Sequence, residues 1–88
     1  MSSKPRCNLI VDHLAESRAA MAWLLTQVQP SLPVCEAGTL AQADSVMRSH
    51  EVELALIDFH LPDGSGLDAL RMLPELERPG PRHAQAAP

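Results

Sequence analysis

Four consecutive apolar residues, Leu54-Ala55-Leu56-Ile57, run directly into the acid Asp58, and a turn rich in proline and glycine, Pro62-Asp63-Gly64-Ser65-Gly66, follows. A short apolar run bounded in this way reads as a buried strand, Glu53 to Asp58, that delivers a carboxylate to the rim of a sheet. An earlier run, Cys7-Asn8-Leu9-Ile10-Val11-Asp12, has the same form and predicts a first strand with Asp12 at its C-terminal end. Pro33 to Ala37 reads as a short second strand. Between the strands the period changes. Ala20, Met21, Leu24, Leu25 and Val28 recur at three- and four-residue spacing and predict an amphipathic helix over about 15–29, closed by Pro30. Leu40, Ala43, Val46 and Met47 predict a second helix to about Ser49, with Thr39 as its N-cap. Leu67, Leu70, Arg71, Leu73 and Leu76 outline a third that starts at Ser65 or Gly66. Pro74 falls inside that pattern and should end the helix near Leu73, because forcing a helix through a proline costs about 3 kcal/mol. Met21 and Met47 read as core, Met72 as off the stripe, and Trp23 as a cover for the flank of the first helix.

The order β-α-β-α-β-α predicts an α/β fold: a parallel sheet with right-handed crossovers and helices on both faces, a three-layer architecture. Residues 1–6 read as a disordered lead-in, 7–78 as one small domain, and 79–88 as a Pro-rich disordered tail. With 88 residues the chain buries a limited share of its surface, so marginal stability is expected.

Composition narrows the function. Seven Lys and Arg stand against eleven Asp and Glu, for a net charge of −4, and the basic residues are scattered. Direct nucleic-acid binding is not expected. No apolar run approaches a membrane span, and the N-terminus lacks the form of a signal peptide, so a cytoplasmic protein is expected. Cys7 and Cys35 lie far apart in sequence and read as two buried free thiols in a reducing compartment. His50 and His83 read as solvated.

In a parallel sheet, ligands sit beyond the C-terminal ends of the strands, where Asp12 and Asp58 should meet. Two neighbouring carboxylates repel unless a cation lies between them, and Mg²⁺ accepts oxygen ligands of this kind. An aspartate beside such an ion can act as an oxygen nucleophile toward a phosphoryl group.

Leu9-Ile10-Val11-Asp12-His13, Arg18, Glu36-Ala37 and the run from Leu56 to Leu67 together resemble the receiver domain of bacterial two-component response regulators, with wording closest to the subgroup joined to helix-turn-helix output domains. The resemblance covers residues 7 to about 73. It implies a flavodoxin-like fold in which Asp58 accepts a phosphoryl group from a histidine kinase, a phosphotransfer protein or a small phosphodonor. It also implies that Asp12, Asp58 and the backbone carbonyl of His60 hold Mg²⁺. Receivers assist their own phosphorylation but turn over no separate substrate, so no enzyme is expected.

The departures are equally specific. Family members carry two adjacent acids after the first strand, whereas the second position here is His13, a poorer Mg²⁺ ligand and at most a weak contributor. The fourth and fifth strands of the family, which end in Thr or Ser and in Lys, find no counterpart, and no lysine follows Lys4. The expected sheet is therefore incomplete, with strand order 2-1-3. Its third strand, whose sequence suits the middle of a sheet, becomes an edge open to pairing with another chain.

Two further readings follow. In the first, the chain acts without chemistry, as an interaction or dimerisation module that pairs through that edge with itself, a kinase or a full-length regulator. Alternatively, Asp12, His13, Asp58 and His60 could gather as a Zn²⁺ site. Against this, His13 and His60 each follow a strand-end acid, and alternation along an extended chain should point their side chains away from the acids.

Overall fold

The computed structural model describes residues 4–73. Three strands, β1 (Arg6–Val11), β2 (Val34–Ala37) and β3 (Glu51–Ile57), form a parallel sheet in the order β2-β1-β3. Helices α1 (Ala15–Val28) and α2 (Leu40–Ser49) are the crossovers, and after β3 a small hairpin, β4 (His60–Leu61) and β5 (Gly64–Ser65), leads into α3 (Gly66–Arg71). This is the incomplete flavodoxin-like α/β fold expected from the alternation of periods. Arg6, assigned to the lead-in by composition, already belongs to β1. The expected proline stop at Pro74, the stripe position Leu76, His83 and the tail lie outside the described residues.

One face of the sheet carries the core. Leu9 and Val11 of β1 and Ala37 of β2 pack with Leu40 and Ala43 of α2, Leu61 of the hairpin and Ala69 of α3. On β3, Val52, Ala55 and Ile57 join this face because the strand carries a bulge: Cys7 pairs with Val52 but Asn8 with Leu54, leaving Glu53 extra. The added residue resets the alternation so that both ends of β3 put apolar side chains toward α2 and α3. Glu53 forms an ion pair with Arg6 at the bulge.

The α1 face is thinner and departs from expectation. Arg18, Ala22, Leu25 and Gln29 turn toward the sheet, while Met21, Leu24 and Val28 are exposed, Val28 at 79%. The apolar residues of α1 spread around the helix rather than forming one stripe, so periodicity alone picked the wrong face. Trp23 is 62% exposed. In α3 the buried residues are Gly66 and Ala69, with Leu73 buried just beyond its end; Leu67 is exposed, and Met72 packs on the core instead of lying off it.

Among the described residues β3 pairs only with β1, so its outer side is an edge. Its Leu54 and Leu56 share the α1 face with their register partners Asn8 and Ile10, and Leu54 is 43% exposed.

Among the described residues Asn8 is the one buried polar side chain, fully covered on the α1 face. Its amide donates to Gln29 Oε1 at 3.0 Å, but its Oδ1 has no partner. An unpaired buried acceptor costs about 1–3 kcal/mol. Gln29 is half-exposed and can turn to water. Asn8→Leu, which keeps the branched heavy-atom shape without the polar atoms, is therefore expected to stabilise the fold by about 1 kcal/mol. A raised urea midpoint checks this, and a lowered one contradicts it.

Candidate functional site

The C-terminal ends of β1 and β3 set the site. The Asp12 N–H donates to Ala37 O at 3.0 Å and the Asp58 N–H to Val11 O at 2.7 Å, so each acid takes its last backbone hydrogen bond from the sheet as the chain leaves it. Both backbones are thereby fixed by the parallel ladder. Asp12 then bends back, with Oδ1 accepting from the Leu14 N–H at 2.9 Å. This local turn brings His13 around.

His13 Nδ1 lies 2.7 Å from Asp58 Oδ2 and 4.0 Å from Asp12 Oδ1. The alternation that should have pointed His13 away does not apply, because β1 has ended at Val11 and the chain is no longer extended. His60 does keep its ring apart, in an edge-on contact with Phe59 at 5.3 Å between centroids. Its backbone N–H donates to Asp58 Oδ1 at 3.2 Å. Asp12, His13 and Asp58 thus bring three ligand atoms within 4.8 Å of one another; the ring of His60 is not part of that group.

Each Asp58 oxygen has a donor. The His13 hydrogen bond, followed by that from the His60 backbone, holds the carboxyl below its ordinary value of 3.8. A depressed value in the fold means that the carboxylate's contribution to stability is present above pH 3.8 and is lost as the pH falls through the lowered folded value. His13→Ala removes the main cause. Asp58 in that variant is expected to titrate at higher pH when followed by carboxyl carbon NMR, and an unchanged midpoint would count against the His13 contact.

Arg18 ties the rim together: its Nη1 donates to the Asp12 carbonyl at 2.8 Å and its Nε to Glu36 Oε1 at 3.2 Å. It links the exits of β1 and β2 from beneath α1.

Asp63 has a role that the sequence did not disclose. From the turn of the β4–β5 hairpin its two oxygens accept from the Leu40 N–H at 2.7 Å and the Ala41 N–H at 3.1 Å, while Thr39 Oγ1 accepts from Gln42 at 3.1 Å. The N–H groups left free by the first turn of α2 are met by a residue from another element, in addition to the expected Thr39 cap. These bonds, Leu40 first, lower the Asp63 pKa. They also fasten the loop after Asp58 to α2. No local pattern signals such a cap, since donor and acceptor are far apart in sequence.

Gly66 brings α3 up against the site. Its N–H donates to Phe59 O at 2.8 Å, and a Cβ placed on it would lie 2.7 Å from the Asp58 carbonyl and 3.0 Å from Phe59 Cα. Only glycine permits that approach. Ser65 caps α3 in a reciprocal box with Asp68.

A stretch of 59 residues, 67% of this chain, is 37% identical to a protein of Arabidopsis thaliana named as a two-component response regulator, ARR20. Over 70 residues, 80% of the chain, it is 33% identical to the sensory transduction protein LytT of Enterococcus faecalis. The chain spans only 14% and 29% of the length of these two relatives. No family profile matches the sequence, and no solved structure does. Among the described residues no helix is long and apolar enough to cross a membrane.

Proposed function

We propose that this chain is a receiver module of a two-component phosphorelay in which Asp58 accepts the phosphoryl group. The observation that carries the reading is the Asp58 carboxylate just beyond β3, set beside Asp12 just beyond β1. One Asp58 oxygen attacks phosphorus, the bond from phosphorus to the donor breaks, and the donor leaves with the electron pair. A phosphohistidine of a kinase or phosphotransfer protein, or a small acyl phosphate, can serve as donor. The likeness to ARR20 and LytT supports the same role.

The donor set suits Mg²⁺: two carboxylates from separate strands, with the backbone carbonyl of His60 as the third protein ligand under this reading. Bound there, the ion would neutralise charge on the incoming phosphoryl oxygens. His13 competes for Asp58 Oδ2, so its ring must turn aside before that oxygen can bind a metal or attack. Weak Mg²⁺ binding follows. Gly66 and the Asp63 anchor hold the loop that frames the approach to Asp58.

Incubation with acetyl phosphate and Mg²⁺, followed by intact mass measurement, tests the proposal. A gain of one phosphoryl group is expected, and an unchanged mass over the full time course contradicts it.

A second reading rests on the edge of β3. Its outer side pairs with no described strand, and Leu54 is exposed beside it. Such an edge is a template for strand addition. Under this reading the chain pairs with itself, with a kinase or with another receiver. Light scattering after size exclusion separates the two accounts, since a monomer at all concentrations removes self-pairing and leaves phosphorylation untouched.

A further inference from the structure

A second cluster of chemically active side chains lies at the opposite pole of the sheet. Cys7 is the second residue of β1, Cys35 the second of β2, and His50 caps the C-terminus of α2 just before β3. All three enter near the N-terminal ends of the strands, whereas Asp12 and Asp58 follow the C-terminal ends. The register pairs Leu9 with Cys35, and Cys7 stands two residues before Leu9, so both thiols share the face against which α2 packs. The two sulfurs and one imidazole nitrogen all lie within 4.8 Å of one another. Cys7 is fully buried; Cys35 and His50 are half-buried. The thiols that looked isolated along the chain, and the histidine that looked solvated, are neighbours in space.

We propose that Cys7, Cys35 and His50 form a Zn²⁺ site, separate from the carboxylate site. Two sulfurs and an imidazole nitrogen are the ligand types that Zn²⁺ selects over the hard cations, and three protein ligands leave a fourth position for water or another donor. Tetrahedral Zn²⁺ with ordinary bond lengths puts such ligand atoms roughly 3.5–3.8 Å apart. The 4.8 Å within which the three atoms lie is about 1 Å above that spacing.

The imidazole is already oriented. His50 Nδ1 lies 2.9 Å from Ser49 Oγ and 3.3 Å from the Val46 carbonyl. In the tautomer with its hydrogen on Nδ1, the ring would donate toward the Val46 carbonyl and keep its lone pair on Nε2. The Ser49 hydroxyl, which also reaches the Ser45 carbonyl at 3.0 Å, closes this side of the ring. A backbone carbonyl holding one ring nitrogen while the other keeps its lone pair is the usual support for a metal-ligating histidine.

Charge balance favours the same occupant. Binding exchanges two thiol protons for one Zn²⁺. The two thiolates cancel the ion's charge, and the buried site becomes neutral. Affinity therefore rises with pH as two protons leave to solvent.

The test uses the reduced, metal-free full chain, with Co²⁺ as a spectroscopic stand-in and Zn²⁺ as competitor. One Co²⁺ per chain is expected to give thiolate-to-cobalt charge-transfer absorption that Zn²⁺ abolishes. Cys35→Ser and His50→Gln avoid the buried Cys7; each is expected to weaken Zn²⁺ binding about 100-fold, while Asp58→Asn leaves it within about twofold. One equivalent of Zn²⁺ should also slow alkylation of Cys35 in the unaltered protein, a readout that needs no variant. Absence of charge-transfer absorption, unchanged alkylation, or Zn²⁺ binding that depends on Asp58 instead of Cys35 overturns the proposal.

Discussion

Asp58→Asn is expected to take up no phosphoryl group under conditions in which the unaltered chain gains one. The amide has the size of the carboxylate but neither its negative charge nor its nucleophilic oxygen, so the loss should be complete instead of graded. The fold should survive. Asp58 is a partly exposed residue whose pairing with His13 is of the surface kind, worth about 0–1 kcal/mol to stability. Asp44→Asn provides the contrast: that carboxylate pairs with Arg48 on α2, far along the chain from the strand ends, and its loss should leave phosphoryl uptake unchanged. Intact mass spectra of the three proteins after acetyl phosphate treatment check the expectation. Uptake by Asp58→Asn equal to that of the unaltered chain would move the acceptor elsewhere.

The second large effect is expected from Gly66→Ala. The added methyl would sit against backbone, the Asp58 carbonyl at 2.7 Å and Phe59 Cα at 3.0 Å, and backbone cannot swing aside as a long side chain can. Either α3 moves away from the end of β3 or the Asp58–Phe59 segment shifts. Overpacking of this kind costs roughly 1–3 kcal/mol, a large share of the stability of a small domain. Urea denaturation should show a clearly lowered midpoint. Phosphoryl uptake measured without denaturant should slow as well, because the displaced atoms belong to the acceptor residue itself. A variant as stable and as reactive as the unaltered chain would show that the close approach of α3 is dispensable.

The parts of the fold that were legible in sequence are those governed by neighbours along the chain. The apolar runs before Asp12 and Asp58, the stripe of α2, the cap at Thr39 and the start of α3 at Ser65 or Gly66 all depend on short spacings, and they appear where the pattern puts them. What escaped depends on distant partners. Asp63 caps α2 from the hairpin, Cys7 and Cys35 approach across two strands, and the bulge at Glu53 resets the face of β3. The α1 face was misread for a different reason. Apolar residues surround that helix, while two of its inward positions, Arg18 and Gln29, are polar and find partners in Glu36, the Asp12 carbonyl and Asn8.

At the candidate site, the placement of Asp12 and Asp58 at neighbouring strand ends followed from topology alone. The position of His13 did not. Strand alternation does not reach His13, two residues past the end of β1, because the Asp12 turn bends the chain there and carries the imidazole onto Asp58. That contact gives His13 a larger part than a missing acid: it lowers the Asp58 pKa and occupies one of the two carboxylate oxygens.

The central claim, phosphoryl transfer to Asp58, is tested most directly by chemical mapping. An acyl phosphate on aspartate is reduced by borohydride to the alcohol, which marks the modified position permanently. The chain treated with acetyl phosphate and Mg²⁺, reduced and digested, is expected to carry that mark at position 58 alone. A mark at another acid, or none in a protein shown to be folded, would contradict the account.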